Sequence, residues 1–131
     1  MTYELWVLAL NAVILLVLYG MQGADTVLNA GKWGLGARDE AREGSVFTGR
    51  ARRTVQNQIE AIAVFAPLAL VAHLLGLSEH QLVVWGAGLF LGARVFFVPL
   101  YLLGVPYLRT LVWGAGFAGS AMIAYAVLTS G

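Results

Sequence analysis

Four long runs of apolar residues dominate this chain, and each is about twenty residues long. A helix that rises 1.5 Å per residue needs roughly 20 apolar residues to cross a hydrocarbon core of ~30 Å. The runs therefore predict four membrane-spanning helices, over residues 5–21, 53–75, 81–103 and 106–128. Only a few residues separate the last three, so consecutive helices should be antiparallel neighbours. We expect an all-α, integral membrane four-helix bundle of up-down topology that forms a single domain over residues 1–131.

Residues 22–52 interrupt this pattern with six glycines and with charges of both signs. They predict a long loop, and residues 38–43 are compatible with a short surface helix inside it. The chain's basic residues concentrate in and beside this loop, whereas residues 76–80 contain no lysine or arginine. Because cytoplasmic loops carry an excess of basic residues, the long loop is predicted to be cytoplasmic, with the protein in the cell (inner) membrane.

The composition agrees with a membrane protein and excludes several other classes. Hydrophobic residues make up 60% of the chain, charged residues 11%, and the mean hydropathy is +0.78, all far from a soluble average. The net charge of +1 gives no indication of a nucleic-acid surface. Without cysteine there is no disulfide or thiolate metal site. His73 and His80 lack a third ligand close in sequence, so no metal site is predicted.

Polar residues inside the spans are the candidates for chemistry, since ionisable groups at that depth are costly. Arg53, Asn57 and Glu60 are spaced four and three apart, which places them on one face of the second helix. Glu60 lies about 10 Å from the loop end of its helix, and Arg94 about 13 Å from the same end of the third. We therefore predict a structural Glu60–Arg94 ion pair. On residue types alone, the polar face could equally serve only to lock the helices together.

Other intramembrane residues have packing interpretations. Asn11 is expected to hydrogen-bond a neighbouring helix rather than a ligand. Tyr101 continues a stripe from Arg94, although by itself it would be an ordinary interfacial aromatic. Small residues predict close helix packing at two pairs, Gly88 with Gly92 and Gly116 with Ser120.

Two segments carry a resemblance to a known family. The run from Arg50 to Glu60 (RARRTVQNQIE) and the run from Gly92 to Tyr101 (GARVFFVPLY), followed by Arg109-Thr110, are similar to signatures of the MAPEG family, the membrane-associated proteins in eicosanoid and glutathione metabolism. Together with the four spans and the long first loop, they resemble its small bacterial members. The loop element Gly36-Ala-Arg38-Asp39 adds to this resemblance.

The resemblance implies a homotrimer that binds reduced glutathione, as a co-substrate, between subunits near the cytoplasmic face. Asn57 and Glu60 would then contact its peptide backbone and amino group, Tyr101 would line the cleft, and Arg53 and Arg38 would bind a carboxylate. Arg109 and Thr110 would be the catalytic pair beside the thiol. A fixed guanidinium lowers the pKa of a thiol and stabilises the thiolate, the nucleophilic form.

Three functions remain open from the sequence. The first is a glutathione transferase or peroxidase acting on lipophilic electrophiles. The second is a non-catalytic lipid-binding or scaffolding protein, favoured because Gln56 and Phe97 stand where glutathione-using members often have arginine or histidine. The third is a small multidrug transporter, but that class needs a carboxylate within its first span, and here Glu4 lies only at its end.

Overall fold

Four helices make up most of the described chain. A computed structural model describes residues 1–30 and 46–130. Within these ranges the helices are α1 (Tyr3–Ala30), α2 (Val46–Leu74), α3 (Gln81–Leu102) and α4 (Leu108–Leu128). Each contains a segment long and apolar enough to cross a membrane: Tyr3–Asp25, Gly49–Leu74, Gln81–Leu102 and Leu108–Leu128. The protein is therefore an all-α, multi-pass integral membrane protein.

Helices α1 and α2 extend beyond their apolar runs at the end of the bundle that carries the basic residues. Helix α1 continues to Ala30, and α2 begins at Val46, so the predicted loop over residues 22–52 was drawn too long at both ends. Hydropathy marks the part of a helix that faces lipid, whereas polar residues without proline continue the same helix outside it. The predicted short helix over residues 38–43 lies outside the described residues.

Helix α4 begins at Leu108, two residues later than predicted. Tyr107, the residue that precedes it, has a φ of 37°, and Gly104 has a φ of +72°. These left-handed conformations form the tight turn after α3, and they cannot belong to a right-handed helix.

Side-chain contacts fasten both ends of α2. At one end, Glu4 of α1 is fully buried, accepts a hydrogen bond from the Ser78 hydroxyl, and lies 3.5 Å from Nδ1 of His73. At the other end, the Arg50 guanidinium covers Gly104, where a Cβ added to the glycine would lie only 2.6 Å from Cζ of Arg50. The start of α1 therefore lies against the α2–α3 turn, and the start of α2 against the α3–α4 turn.

The apolar core lies toward the Glu4 end of the bundle. Phe65 of α2 stacks on Phe90 of α3, with ring centroids 4.1 Å apart. Helices α3 and α4 approach closely at Gly86 and Gly119, where a Cβ on either residue would come within 2.6 Å of the other's carbonyl oxygen. Backbones approach this closely only where side chains are absent.

The close approach was predicted at other small residues. Gly92 has nothing within 4 Å of an added Cβ, and Gly88 faces the Tyr3 hydroxyl rather than α4. Among the described residues, the prediction of close packing therefore holds for Gly88, against α1, and fails for Gly92. In α4, the predicted close packing at Gly116 and Ser120 agrees better with the structure, because Gly116 faces Ala93 of α3, and Ser120 is buried.

We expect Gly119→Ala to destabilise the bundle, because the new methyl group would meet the Gly86 carbonyl and force α3 and α4 apart. Overpacking of this kind costs about 1–3 kcal/mol. Gly92→Ala is the matched control, since it adds the same group to open space. Thermal unfolding in detergent should show a lowered midpoint for the first variant alone, and equal midpoints would contradict the Gly86–Gly119 contact.

Candidate functional site

A chain of buried polar side chains crosses the bundle from α1 to α3. Gln58 of α2 is fully buried and donates from Nε2 to Oδ1 of Asn11 (3.1 Å) and to the Asn11 carbonyl oxygen (3.3 Å). Its own Oε1 accepts from Nε of Arg94 at 2.8 Å. Asn11 in turn donates to the Val7 carbonyl oxygen. These bonds determine the orientation of the Gln58 amide, with its oxygen toward the cation.

Arg94 is the residue that this chain of hydrogen bonds holds. It is only 2% exposed, and Cζ of its guanidinium lies 4.4 Å from the centroid of the Phe97 ring. Gly116 of α4 leaves room for it, because a Cβ there would lie 3.9 Å from Cδ of Arg94. Nη2 is buried and has no hydrogen-bond acceptor among the described residues. A charged group in hydrocarbon is therefore only partly satisfied by this part of the protein.

The unsatisfied guanidinium lines a cavity between α2, α3 and α4, which we call the inner cavity. It has a volume of about 210 Å³. Oδ1 of Asn57, also buried, has no donor within the described ranges and belongs to the same cavity. The wall is otherwise apolar except at Glu60 and Ser120; its residues are Asn57, Glu60, Ala61, Val64, Phe90, Arg94, Trp113, Gly116, Phe117 and Ser120. The residues that line the inner cavity thus include an arginine with an unpaired nitrogen, an asparagine with an unpaired oxygen and a glutamate, as far as the described residues show.

The predicted Glu60–Arg94 ion pair is not formed among the described residues. The Arg94 guanidinium bonds to Gln58, while Oε1 of Glu60 accepts from Nε2 of Gln56 at 3.1 Å on the exposed side of α2. The depth estimate was sound, since both residues line one cavity. Depth alone gives no information about the rotation of α2 around its own axis, and that rotation turns Gln58, rather than Glu60, toward α3.

A second cavity, the outer cavity, lies next to the first and has a volume of about 200 Å³; we call the two together the groove. Asn57 and Trp113 line both, and the other outer residues are Phe97, Tyr101, Arg109 and Thr110. Cζ of Arg109 lies 5.0 Å from the centroid of the Tyr101 ring, a cation–π contact that orients the guanidinium. The predicted catalytic pair and Tyr101 therefore lie around one cavity.

The N-terminus of α4 contributes to the outer cavity. Helix α4 has no side-chain cap at Tyr107, and the Tyr107 carbonyl accepts from the N–H groups of Thr110 and Leu111, which leaves only those of Leu108 and Arg109 without such a backbone bond. Free N–H groups and the helix dipole make a helix N-terminus favourable for an anion. Positive potential from two sources therefore meets at this end of the groove.

One comparison with known proteins gives a match over nearly the whole chain. A family model described as the MAPEG family matches residues 3–129. The chain belongs to the MAPEG family. No curated protein and no solved structure shows a significant match. The match spans all four helices of this MAPEG protein, so both cavities lie within the family domain.

Arg53, which was expected at the site, lines neither cavity. Its side chain is exposed and runs back along α2, with Nη1 3.4 Å from where a Cβ of Gly49 would be. Arg38, the other arginine expected there, lies outside the described residues. The carboxylate-binding role of these two arginines is untested and stays a prediction.

Sequence reasoning missed Gln58 and the role of Ser120 at this MAPEG site. A signal for Gln58 was present, because one row of buried residues in α2 recurs at every seventh position; it consists of Ala51, Gln58, Phe65 and Ala72. A polar residue in such a register faces the helix interface. The expected role of Asn11 as an interhelical hydrogen-bonding residue is confirmed by its contact with Gln58.

We expect Gln58→Leu to destabilise the protein strongly, because it leaves Nε of Arg94 and the Asn11 side chain unpaired in a buried environment. Leaving a buried donor or acceptor unsatisfied costs about 1–3 kcal/mol, and more when the group is charged. Gln56→Leu makes the same change on the exposed side of α2 and should cost well under half of that. Unfolding in bicelles would measure both, and equal losses would contradict the importance of the Gln58 contacts.

Proposed function

We propose that this MAPEG protein binds reduced glutathione in the groove formed by the inner and outer cavities and activates it as a thiolate. The products would be glutathione conjugates of lipophilic electrophiles or, with lipid hydroperoxides and a second glutathione, the lipid alcohol, water and glutathione disulfide. Members of the family are generally associated with glutathione. The observation that carries the proposal is that two cavities sharing Asn57 and Trp113 bring together residues with unsatisfied polar atoms, the Glu60 carboxylate and Arg109.

The polar groups of the groove suit a charged peptide. The Glu60 carboxylate is exposed at the inner cavity and can accept an ammonium group, while Oδ1 of Asn57 can accept a donor such as a peptide N–H. Groups like these usually fix a ligand's orientation within an otherwise apolar pocket. A tripeptide with one ammonium group, amide N–H groups and carboxylates complements each of them.

Arg109 is assigned the thiolate-stabilising role. Its guanidinium and the free N–H groups of α4 favour a negative charge in the outer cavity, and the Thr110 hydroxyl can donate to sulfur. The thiol proton would leave to water at this end of the groove. The sulfur would then form a bond to the electrophilic carbon, and the displaced group would depart with its electron pair.

We also propose an up-down bundle assembled as a homotrimer, with the basic end in the cytoplasm. The contacts of Glu4 with Ser78 and of Arg50 with Gly104 support the alternating helix direction. Ile59 and Val64 of α2 and Phe117 of α4 are exposed apolar side chains beside the inner cavity. Lipid or a neighbouring subunit can cover them, and neighbouring subunits would complete the groove.

A non-catalytic lipid-binding role is the second candidate. It is favoured by a third cavity of about 310 Å³ between α1 and α3, which is almost entirely apolar and is lined by Val13, Ile14, Val17, Leu18, Met21, Arg94, Val95, Val98, Pro99 and Leu102. Such a surface suits an acyl chain and needs no thiol chemistry.

We expect purified protein titrated with reduced glutathione to develop a saturable thiolate ultraviolet absorbance near neutral pH. Arg109→Ala should raise the thiol pKa by about one unit or more, toward the free value near 8.5, because the fixed positive charge is lost. The signal at pH 7 should then fall several-fold and recover as pH rises.

Arg52→Ala is the matched control, because Arg52 is an exposed arginine on the same end and lines neither cavity. It should retain the full signal. Glutathione binding with an unchanged thiol pKa in Arg109→Ala would refute the role of Arg109. The absence of any binding at millimolar glutathione would refute the enzyme proposal and favour the lipid-binding candidate.

A further inference from the structure

Within residues 1–30 and 46–130, the buried charge of Arg94 meets no counter-charge. Nε is satisfied by Gln58, a neutral amide, and Nη2 has no partner there. Glu60 is the acidic residue that lines the inner cavity, and it is exposed and bonded to Gln56. The charged and polar side chains that face Arg94 from the described helices are thus Gln58, Asn57, Glu60 and Ser120, and none pairs with its free nitrogen.

A buried guanidinium that is held in place and left partly unpaired is suited to binding an anion. Arginine presents its N–H donors in a rigid planar fork that matches a carboxylate. The Gln58–Asn11 hydrogen bonds hold Arg94 in place, and its side chain lines the inner cavity as well as the apolar cavity between α1 and α3. In surroundings of low dielectric constant, an incoming carboxylate is attracted much more strongly than at an exposed site.

We propose that Arg94 is a ligand-binding residue that receives a carboxylate of the bound molecule in the inner cavity, and that Gln58 is the residue that positions it. The ligand class is an acid with an N–H next to its carboxylate, because the unpaired Oδ1 of Asn57 in the same cavity requires a donor. An N-acyl amino acid or the C-terminal residue of a peptide has both groups. The identification of this ligand as glutathione rests on the function proposed above.

The test uses probes that lack a thiol. N-octanoylglycine and its uncharged amide, N-octanoylglycinamide, are titrated by calorimetry into the full-length protein in nanodiscs, and reduced glutathione is titrated in parallel. Wild-type protein should bind the acid about tenfold or more tightly than the amide, because hydrogen bonds to charged groups are the stronger ones. Equal affinities for the acid and the amide would overturn the proposal.

Gln58→Glu is the decisive variant, since it supplies Arg94 with a carboxylate of the same shape in place of the amide. The acid and the amide should then bind with about equal affinity, because the guanidinium already has a counter-charge. Gln81→Glu, the same substitution on an exposed residue at the start of α3, should keep the wild-type preference. A full preference in Gln58→Glu would overturn the role of Arg94.

A second pair of variants decides the matter if Gln58→Glu does not fold. Ser120→Asp brings a carboxylate into the inner cavity from α4, and Ser120→Asn brings a neutral group of the same size. Only the aspartate variant should lose the preference for the acid, and equal preferences in the two variants would overturn the proposal.

The two proposals fail separately. If glutathione does not bind but the acid is preferred in wild type and not in Gln58→Glu, the glutathione function is refuted and the carboxylate site stands. If glutathione binds and both it and the acid bind Gln58→Glu as they bind wild type, the carboxylate site is refuted and the glutathione function stands. If neither ligand binds, both are refuted.

Discussion

A guanidinium held within the hydrocarbon-spanning part of α3 is the constraint on which the rest of the bundle depends. Each of the other helices contributes to the surroundings of Arg94. Helix α2 supplies the Gln58 acceptor, and α1 orients that amide through Asn11. Helix α4 has no side chain at Gly116, where the aliphatic part of the arginine passes. Because a charge in lipid must be hydrogen-bonded or paired, these contacts determine how the four helices are rotated. The apolar core then packs around that arrangement, toward the Glu4 end.

The same constraint forms the groove. Gln58 satisfies Nε of Arg94, while Nη2 of Arg94 and Oδ1 of Asn57 stay unpaired among the described residues, and both residues line the inner cavity. An unpaired polar atom in surroundings of low dielectric constant is costly, so the incomplete pairing of Arg94 and Asn57 marks this part of the bundle as different from the apolar core. The outer cavity extends this groove to Arg109, which Tyr101 orients.

Helical periodicity predicted part of this site well. The four- and three-residue spacing of Arg53, Asn57 and Glu60 predicted that they share one face, and Asn57 and Glu60 do line one cavity. The depth estimate predicted that Arg94 lies at the same level, and Arg94 lines that cavity too. The predicted partner of Arg94, Glu60, was wrong. The prediction gave charge complementarity more weight than the seven-residue spacing of buried residues in α2, which places Gln58 at the helix interface. It also selected Gly88 and Gly92 for close packing, although the α3 glycine that meets α4 is Gly86.

The sequence by itself determined the four membrane-crossing helices and the family. It also determined which polar and charged residues lie near the end of the bundle that carries the long loop. These follow from the length of apolar runs relative to a bilayer and from local spacing, and both are properties of a linear chain. Only the tertiary structure decided which residue bonds to Arg94, which atoms remain unpaired and which glycines touch. Those outcomes depend on how each helix is rotated against its neighbours, and a rotation of one residue, about 100°, exchanges one partner for another.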